Sequence, residues 1–232
     1  MVEKVGGSQG DVLDGTPQPD QLTGGGGNDF LKGRGSNDIL KGGSGPDDIF
    51  GDGGNDVIRG DGGADEQVGG AGNDTLYALG SIQEGVVGSL AGGQQEADTL
   101  TGGAGKDLFY IQESGGEAGS AAKGFGFRDN QQYAAITDFT YGEDQIRLPG
   151  APNYYSTSYY DGNGDGTSDS TAIFYTEDPN IDFSIGLGPI SIGGTRTLEI
   201  PTDVTLVALV EGSIDAQSLT DGTAYVYGAA TL

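Results

Sequence analysis

The 232-residue chain contains no cysteine and no histidine, and only ten Lys+Arg stand against 35 Asp+Glu, for a formal net charge of −25. Without cysteine there are no disulfides, thiolate metal sites or cysteine nucleophiles. Without histidine there is no imidazole base, no His-ligated zinc and no Ser-His-Asp triad. The scarcity of cations excludes a nucleic-acid binder that works by neutralising phosphates, and it argues against docking on anionic membranes. No apolar run reaches the length of a membrane-spanning helix. The opening Met1-Val2-Glu3-Lys4-Val5-Gly6-Gly7 lacks the basic start and apolar stretch of a secretory signal peptide. The expectation is either retention in the cell or export by a route that reads no N-terminal signal.

Glycine, by contrast, is abundant, with 47 residues, and it is periodic. An unbroken nine-residue frame runs from Gly6 to Tyr77: GGSQGDVLD, GTPQPDQLT, GGGGNDFLK, GRGSNDILK, GGSGPDDIF, GDGGNDVIR, GDGGADEQV and GGAGNDTLY. Two further units follow, GQQEADTLT from Gly93 and GGAGKDLFY from Gly102. Position six is Asp11, Asp20, Asp29, Asp38, Asp47, Asp56, Asp65, Asp74, Asp98 and Asp107. Position eight is apolar (Leu13, Leu22, Leu31, Leu40, Ile49, Ile58, Leu76, Leu100 and Phe109) except at Gln67.

A helix does not explain this frame. Each interior glycine would cost about 1 kcal/mol relative to alanine, and a period of nine does not hold one apolar residue on a helix face. A turn followed by a three-residue strand does explain it, with glycine where φ must be positive and the middle strand residue pointing inward. Two units then make one coil, and successive apolar residues alternate between two facing parallel sheets. The fold class expected is all-β: a parallel β-roll followed by a β-rich C-terminal capping region.

The units resemble the RTX (repeats-in-toxin) hemolysin-type calcium-binding β-roll, whose repeat reads G-G-x-G-x-D-x-U-x. GGGGNDFLK and GGAGNDTLY match it fully, and the resemblance covers roughly residues 6–110. It implies calcium held between turns stacked one coil apart. One row of turns would carry Asp11, Asp29, Asp47 and Asp65, the other Asp20, Asp38, Asp56 and Asp74. Asp98 and Asp107 would extend the rows if the intervening break is looped out, giving about eight calcium ions. Calcium suits such turns because it takes six to eight oxygens from carboxylates and carbonyls. One inward side chain per nine residues is also a thin core for so much ordered backbone, and stacked carboxylates repel. A cation bound only by the folded arrangement would supply the missing stability.

The organisation expected is a roll over 1–110, with an insertion at 78–92, and a cap over 111–232. Gln67 reads as a tolerated polar core residue near a roll edge, and the glycine-poor turn before Asp20 leaves its carbonyl geometry open. Ile136-Thr137-Asp138-Phe139 and Gly142-Glu143-Asp144-Gln145-Ile146 resemble the segment that commonly follows RTX repeats. Asp138 and Asp144 are therefore either ligands at the roll end or turn carboxylates in solvent. Strands are expected at Tyr154–Tyr160, Thr171–Tyr175, Leu198–Ile200, Val204–Val210 and Ala224–Tyr227 from their alternation. Between the first two, Asp161, Asn163, Asp165 and Asp169 carry oxygens at positions 1, 3, 5 and 9 of an EF-hand-like loop, with Gly166 at position 6 but Ala172 where a bidentate Glu belongs. This loop is a second calcium candidate, against a plain acidic hairpin.

The resemblance implies a secreted, non-catalytic calcium-binding protein of the bacterial surface or extracellular matrix, exported by type I secretion and folded by extracellular calcium. Asp203-Val204-Thr205-Leu206-Val207-Ala208-Leu209-Val210-Glu211-Gly212 is similar to segments near the C-terminus of cyanobacterial RTX proteins. Self-association into a filament, sheath or surface layer is a further expectation. The alternative is the secretion and folding module of a secreted enzyme. No catalytic residue is singled out, because nearly all the acids occupy repeat or turn positions.

Overall fold

The computed structural model describes residues 1–79, 96–112, 132–140 and 142–148, together with the strand segments 155–161, 170–176, 190–191, 204–211, 219–220 and 224–227. Every regular element among them is a strand, so no helix there is long and apolar enough to cross a membrane.

Strands fall alternately into two sheets. One holds β1 (Glu3–Val5), β3 (Gln21–Gly26), β5 (Ile39–Ser44), β7 (Val57–Gly62), β9 (Thr75–Leu79), β11 (Leu108–Gln112) and β13 (Gln145–Leu148), in that spatial order. The other holds β2 (Val12–Asp14), β4 (Phe30–Lys32), β6 (Asp48–Gly53), β8 (Glu66–Ala71), β10 (Glu96–Ala104) and β12 (Gln132–Ile136). All neighbours within these two sets are parallel, and Leu22 pairs with Leu40, Leu40 with Ile58 and Ile58 with Leu76. This is the β-roll that the nine-residue frame predicts. One apolar residue per unit points inward because only the middle residue of each short strand faces the opposing sheet. Leu22, Leu31, Leu40, Ile49, Ile58, Leu76, Leu100 and Phe109 are all fully buried there.

The outer face of the first sheet carries its own ladder. Arg59 lies over the Tyr77 ring, Tyr77 stacks on Tyr110 with centroids 4.6 Å apart, and Arg147 donates to the Tyr110 hydroxyl at 2.7 Å. These contacts stitch β7, β9, β11 and β13 together from the solvent side.

The structure differs from the sequence reading at two boundaries and at one core residue. The roll does not end at 110. β12 pairs in parallel with β10 (Leu100 with Ile136), and β13 pairs in parallel with β11 (Phe109 with Ile146), so the ladder runs on to Leu148. Ile136 and Ile146 fill the same inward slots as the repeat apolar residues, and this inward slot, rather than the glycine signature, sets membership of the roll. The insertion does not start at Ala78, since Ala78 is a fully buried residue of β9 and Leu79 pairs with Gln112. Gln67 is not near an edge. Its strand lies between β6 and β10, and its carboxamide nitrogen donates to the Tyr77 carbonyl at 2.9 Å.

Beyond Leu148 the pairing changes character. β14 (Tyr155–Asp161), β15 (Ser170–Thr176) and β17 (Val204–Glu211) form an antiparallel set joined to the roll where β17 lies beside β12. β16 (Ile190–Ser191) flanks β14. In the first sheet, β19 (Ala224–Tyr227) pairs antiparallel with β13 and with β18 (Leu219–Thr220). Four of the five strands expected from alternation coincide with β14, β15, β17 and β19; Leu198–Ile200 lies outside the described residues.

Candidate metal centres

The position-six aspartates form two rows on the two sides of the roll, buried from Asp20 onward. Each row is built on a hydrogen bond that repeats once per coil. The Asp29 amide donates to Asp47 Oδ1 at 2.8 Å, Asp38 to Asp56 Oδ1 at 2.7 Å and Asp56 to Asp74 Oδ1 at 2.7 Å. The rows cross the break in sequence, since Asp65 donates to Asp98 Oδ1 at 3.0 Å and Asp74 to Asp107 Oδ1 at 2.7 Å. Asp11 and Asp20 start the rows by donating to Asp29 and Asp38. From Asp29 onward, one oxygen of each aspartate is thus committed to the backbone of the row member one coil before it. Sequence reasoning missed this role, although an aspartate recurring just ahead of a strand is well suited to accept a backbone amide.

The other oxygen is different. Oδ2 of Asp29, Asp38, Asp47, Asp56, Asp74 and Asp107 is buried and accepts no hydrogen bond. Burial pushes Asp38, Asp47 and Asp107 up to about 6 and Asp74 up to about 7, with neighbouring carboxylates adding to the rise and the backbone amide opposing it. Asp56 and Asp144 are raised for the same first reason. An ionised carboxylate oxygen held out of water with no partner is costly, so this arrangement calls for a cation.

A cradle lies beside five of these six oxygens, those of Asp29, Asp38, Asp47, Asp56 and Asp74. A Cβ added at Gly24 would overlap Asp29 Oδ2 and the Gly42 carbonyl oxygen one coil along. At Gly33, Gly42, Gly51 and Gly69 the pattern repeats, with the aspartate of the same unit and the position-one carbonyl of the next coil. Position one is glycine in all ten units, and at the nine that the structure describes an oxygen occupies the space a Cβ would need. At Gly60 the Gln67 carboxamide nitrogen stands 2.8 Å from the same point, beside Asp65 Oδ2. Among the described residues no three His, Cys, Asp or Glu side chains converge, so an ion held here takes much of its coordination from carbonyls. A hard cation accepting mixed carboxylate and carbonyl oxygen is calcium.

The turns supply these carbonyls through an unusual backbone. Position two has positive φ at Gly25, Arg34, Gly43, Asp52, Asp61, Gly70 and Gly103. Arg34 is held in that conformation by ion pairing with Asp14, which also keeps the Asp14 carboxyl below its ordinary range. In the second row, position five adds an exposed amide ladder: Asn55 N–H to Asn37 Oδ1, Asn73 N–H to Asn55 Oδ1 and Lys106 N–H to Asn73 Oδ1, at 2.8–2.9 Å.

A family model for the RTX calcium-binding nonapeptide repeat matches residues 5–40, 32–67, 41–76, 68–81 and 93–110. The chain carries an RTX calcium-binding repeat array. No curated protein and no solved structure matches the chain. The RTX array therefore accounts for the two aspartate rows, and the geometry accounts for why its glycines and aspartates recur.

The remaining candidates fall into three groups. Asp144 continues the second row, because Asp107 donates to its Oδ1 at 2.9 Å, and Ala134 stands in register with Asp98 where the first row would continue. Asp138 is not a row member. Its two oxygens accept the Gly102 and Gly103 amides at 2.8 and 2.7 Å, so it closes that turn as a backbone acceptor. In the 161–169 loop, Asp161 is the last residue of β14, and Asn163, Asp165 and Asp169 lie outside the described residues.

Proposed function

We propose that this RTX calcium-binding protein works outside the bacterial cell, at the surface or in the extracellular matrix, as a non-catalytic structure that calcium folds. The observation that carries the reading is the set of six buried Asp Oδ2 atoms without a partner, five of them beside a carbonyl-lined cradle. In low calcium those carboxylates and a net charge of −25 oppose compaction, which suits an extended chain during export. In millimolar calcium the ions bind only the stacked turns, and their binding energy becomes folding energy. Asp29, Asp38, Asp47, Asp56, Asp74 and Asp107 would hold the ions, with the position-one carbonyls of the adjacent coil. The non-catalytic reading rests on the acids themselves, because the buried ones are committed to backbone amides and cradles. The test is circular dichroism of the purified chain in excess chelator and in millimolar calcium. The expected result is a disordered spectrum converting to a β spectrum, and a full β signal in chelator refutes the reading.

Self-assembly is a second reading. Val5, Val12, Phe30 and Ile39 are exposed on the first coils, with Val12 77% accessible. An opposing feature is Lys4, which pairs in register with Leu22 and so places a charge at an inward position of the outer strand β1, a device that discourages edge pairing. Electron microscopy with and without calcium decides between filaments or sheets and single particles.

A further inference from the structure

The turns exist in two states. In seven described turns, position two has positive φ, and these precede Asp29, Asp38, Asp47, Asp56, Asp65, Asp74 and Asp107. In three others, position two is Gly7, Thr16 or Thr140, none of which has positive φ. In those three the position-two amide donates to Oδ2 of the aspartate four residues on: Gly7 to Asp11 at 2.6 Å, Thr16 to Asp20 at 2.6 Å and Thr140 to Asp144 at 2.7 Å. The Thr16 hydroxyl adds a second bond to Asp20 Oδ2 at 2.8 Å. Burial pushes the Asp20 carboxyl up, but the Thr16 hydroxyl and the Val2 and Thr16 amides outweigh it, and the net direction is down.

We infer that the residue at position two decides whether a turn takes calcium, through rotation of the peptide unit between positions one and two. This rests on the calcium reading above. One orientation aims the position-two N–H at Oδ2. The carboxylate is then satisfied by a charge-assisted hydrogen bond, and the turn is complete without metal. The other orientation gives position two a positive φ, withdraws that donor and leaves Oδ2 to a cation. Glycine and, at modest cost, Asp adopt the second state, whereas a β-branched residue is strongly disfavoured there. Thr16 and Thr140 therefore lock the Asp20 and Asp144 turns closed, and these two aspartates are caps of the rows rather than calcium ligands. Gly7 leaves the Asp11 turn free to switch. Counting aspartates consequently overestimates calcium.

The test counts calcium bound per full-length chain by equilibrium dialysis at saturating calcium. Asp52→Val and Asp52→Asn remove the same charge and the same ion pair with Lys32, but only valine resists positive φ. Asp52→Val is expected to bind one calcium fewer than the parent, and Asp52→Asn the same number. Thr16→Gly is expected to bind one more, which keeps the idea falsifiable if Asp52→Val fails to fold. Equal counts for the two Asp52 variants, or no gain in Thr16→Gly, overturn the inference while leaving a calcium-binding parent intact. A parent that binds no calcium overturns the reading it rests on as well.

Discussion

Along β15 and β17 the buried described side chains are Ala172, Ile173, Phe174, Ala208, Leu209 and Val210, with Ser170 and Thr171 and no carboxylate. Along the roll from Asp29 to Asp107, each coil buries a carboxylate at both turns beside its inward residues. Ser170 through Phe174 and Ala208 through Val210 are buried in succession, so these antiparallel strands are covered on both faces, mostly by apolar side chains. The roll reduces apolar burial to about one residue per unit and gives the rest of its interior to oxygen. The two regions therefore answer to different solution conditions, the first to temperature and denaturant and the second to calcium and protons.

The largest expected effect is the removal of calcium. In chelator, hydrogen exchange at the Asp29, Asp38, Asp47 and Asp56 amides should become fast, because these amides are bonded to the carboxylates of the next coil. Amides of the β15–β17 ladder should lose less protection. Equal loss in both regions would erase the distinction.

Core truncation comes next. Ile58→Ala, at a fully buried inward position, should cost about 2–5 kcal/mol in calcium, measured by denaturant unfolding. In a roll with so thin a core it should also raise the calcium midpoint, whereas Ile173→Ala in β15 should lower stability with little change in that midpoint.

Protons should act on the roll in opposite directions with and without metal. Asp38, Asp47 and Asp107 sit at about 6 and Asp74 at about 7, above the ordinary 3.8. The folded metal-free roll thus holds protons that the unfolded chain has released, so its stability rises as pH falls through 7 and 6 and is lost as pH rises again. In chelator, β content should be greater at about pH 5 than at about pH 8. Calcium needs the ionised carboxylates, so its apparent affinity should fall over the same interval. A metal-free roll that weakens on acidification would contradict the buried, partnerless oxygens.

A smaller contrast lies within the rows. Asp47→Ala removes an open oxygen in an interior turn, and Asp11→Ala one already bonded to the Gly7 amide. The calcium midpoint should shift more for Asp47→Ala, and equal midpoints would sink the stacked-turn reading. The smallest effect is Gln67→Leu. It removes the partnerless Oε1 and the bond to the Tyr77 carbonyl together, so the two effects oppose and denaturant unfolding of the calcium-loaded roll should shift by less than about 1 kcal/mol.

The nine-residue frame alone determined the roll, the inward positions and the identity of the aspartate rows. A regular repeat forces every coil into the same register, so local sequence is enough. The resumption at Gly93 was legible for the same reason, since Leu100 and Phe109 keep the inward position. What the tertiary structure decided concerns partners far apart in the chain. Ile136 and Ile146 joined the roll without the glycine signature, because the open sheet edges at β10 and β11 accept any strand with an inward apolar residue. Asp138 became a turn cap and Asp144 a row member through amides 36 and 37 residues away. Which aspartates keep a free oxygen depended on the rotation of single peptide units. Composition records an aspartate in every unit, but only the folded turn shows whether a backbone amide has already claimed its second oxygen.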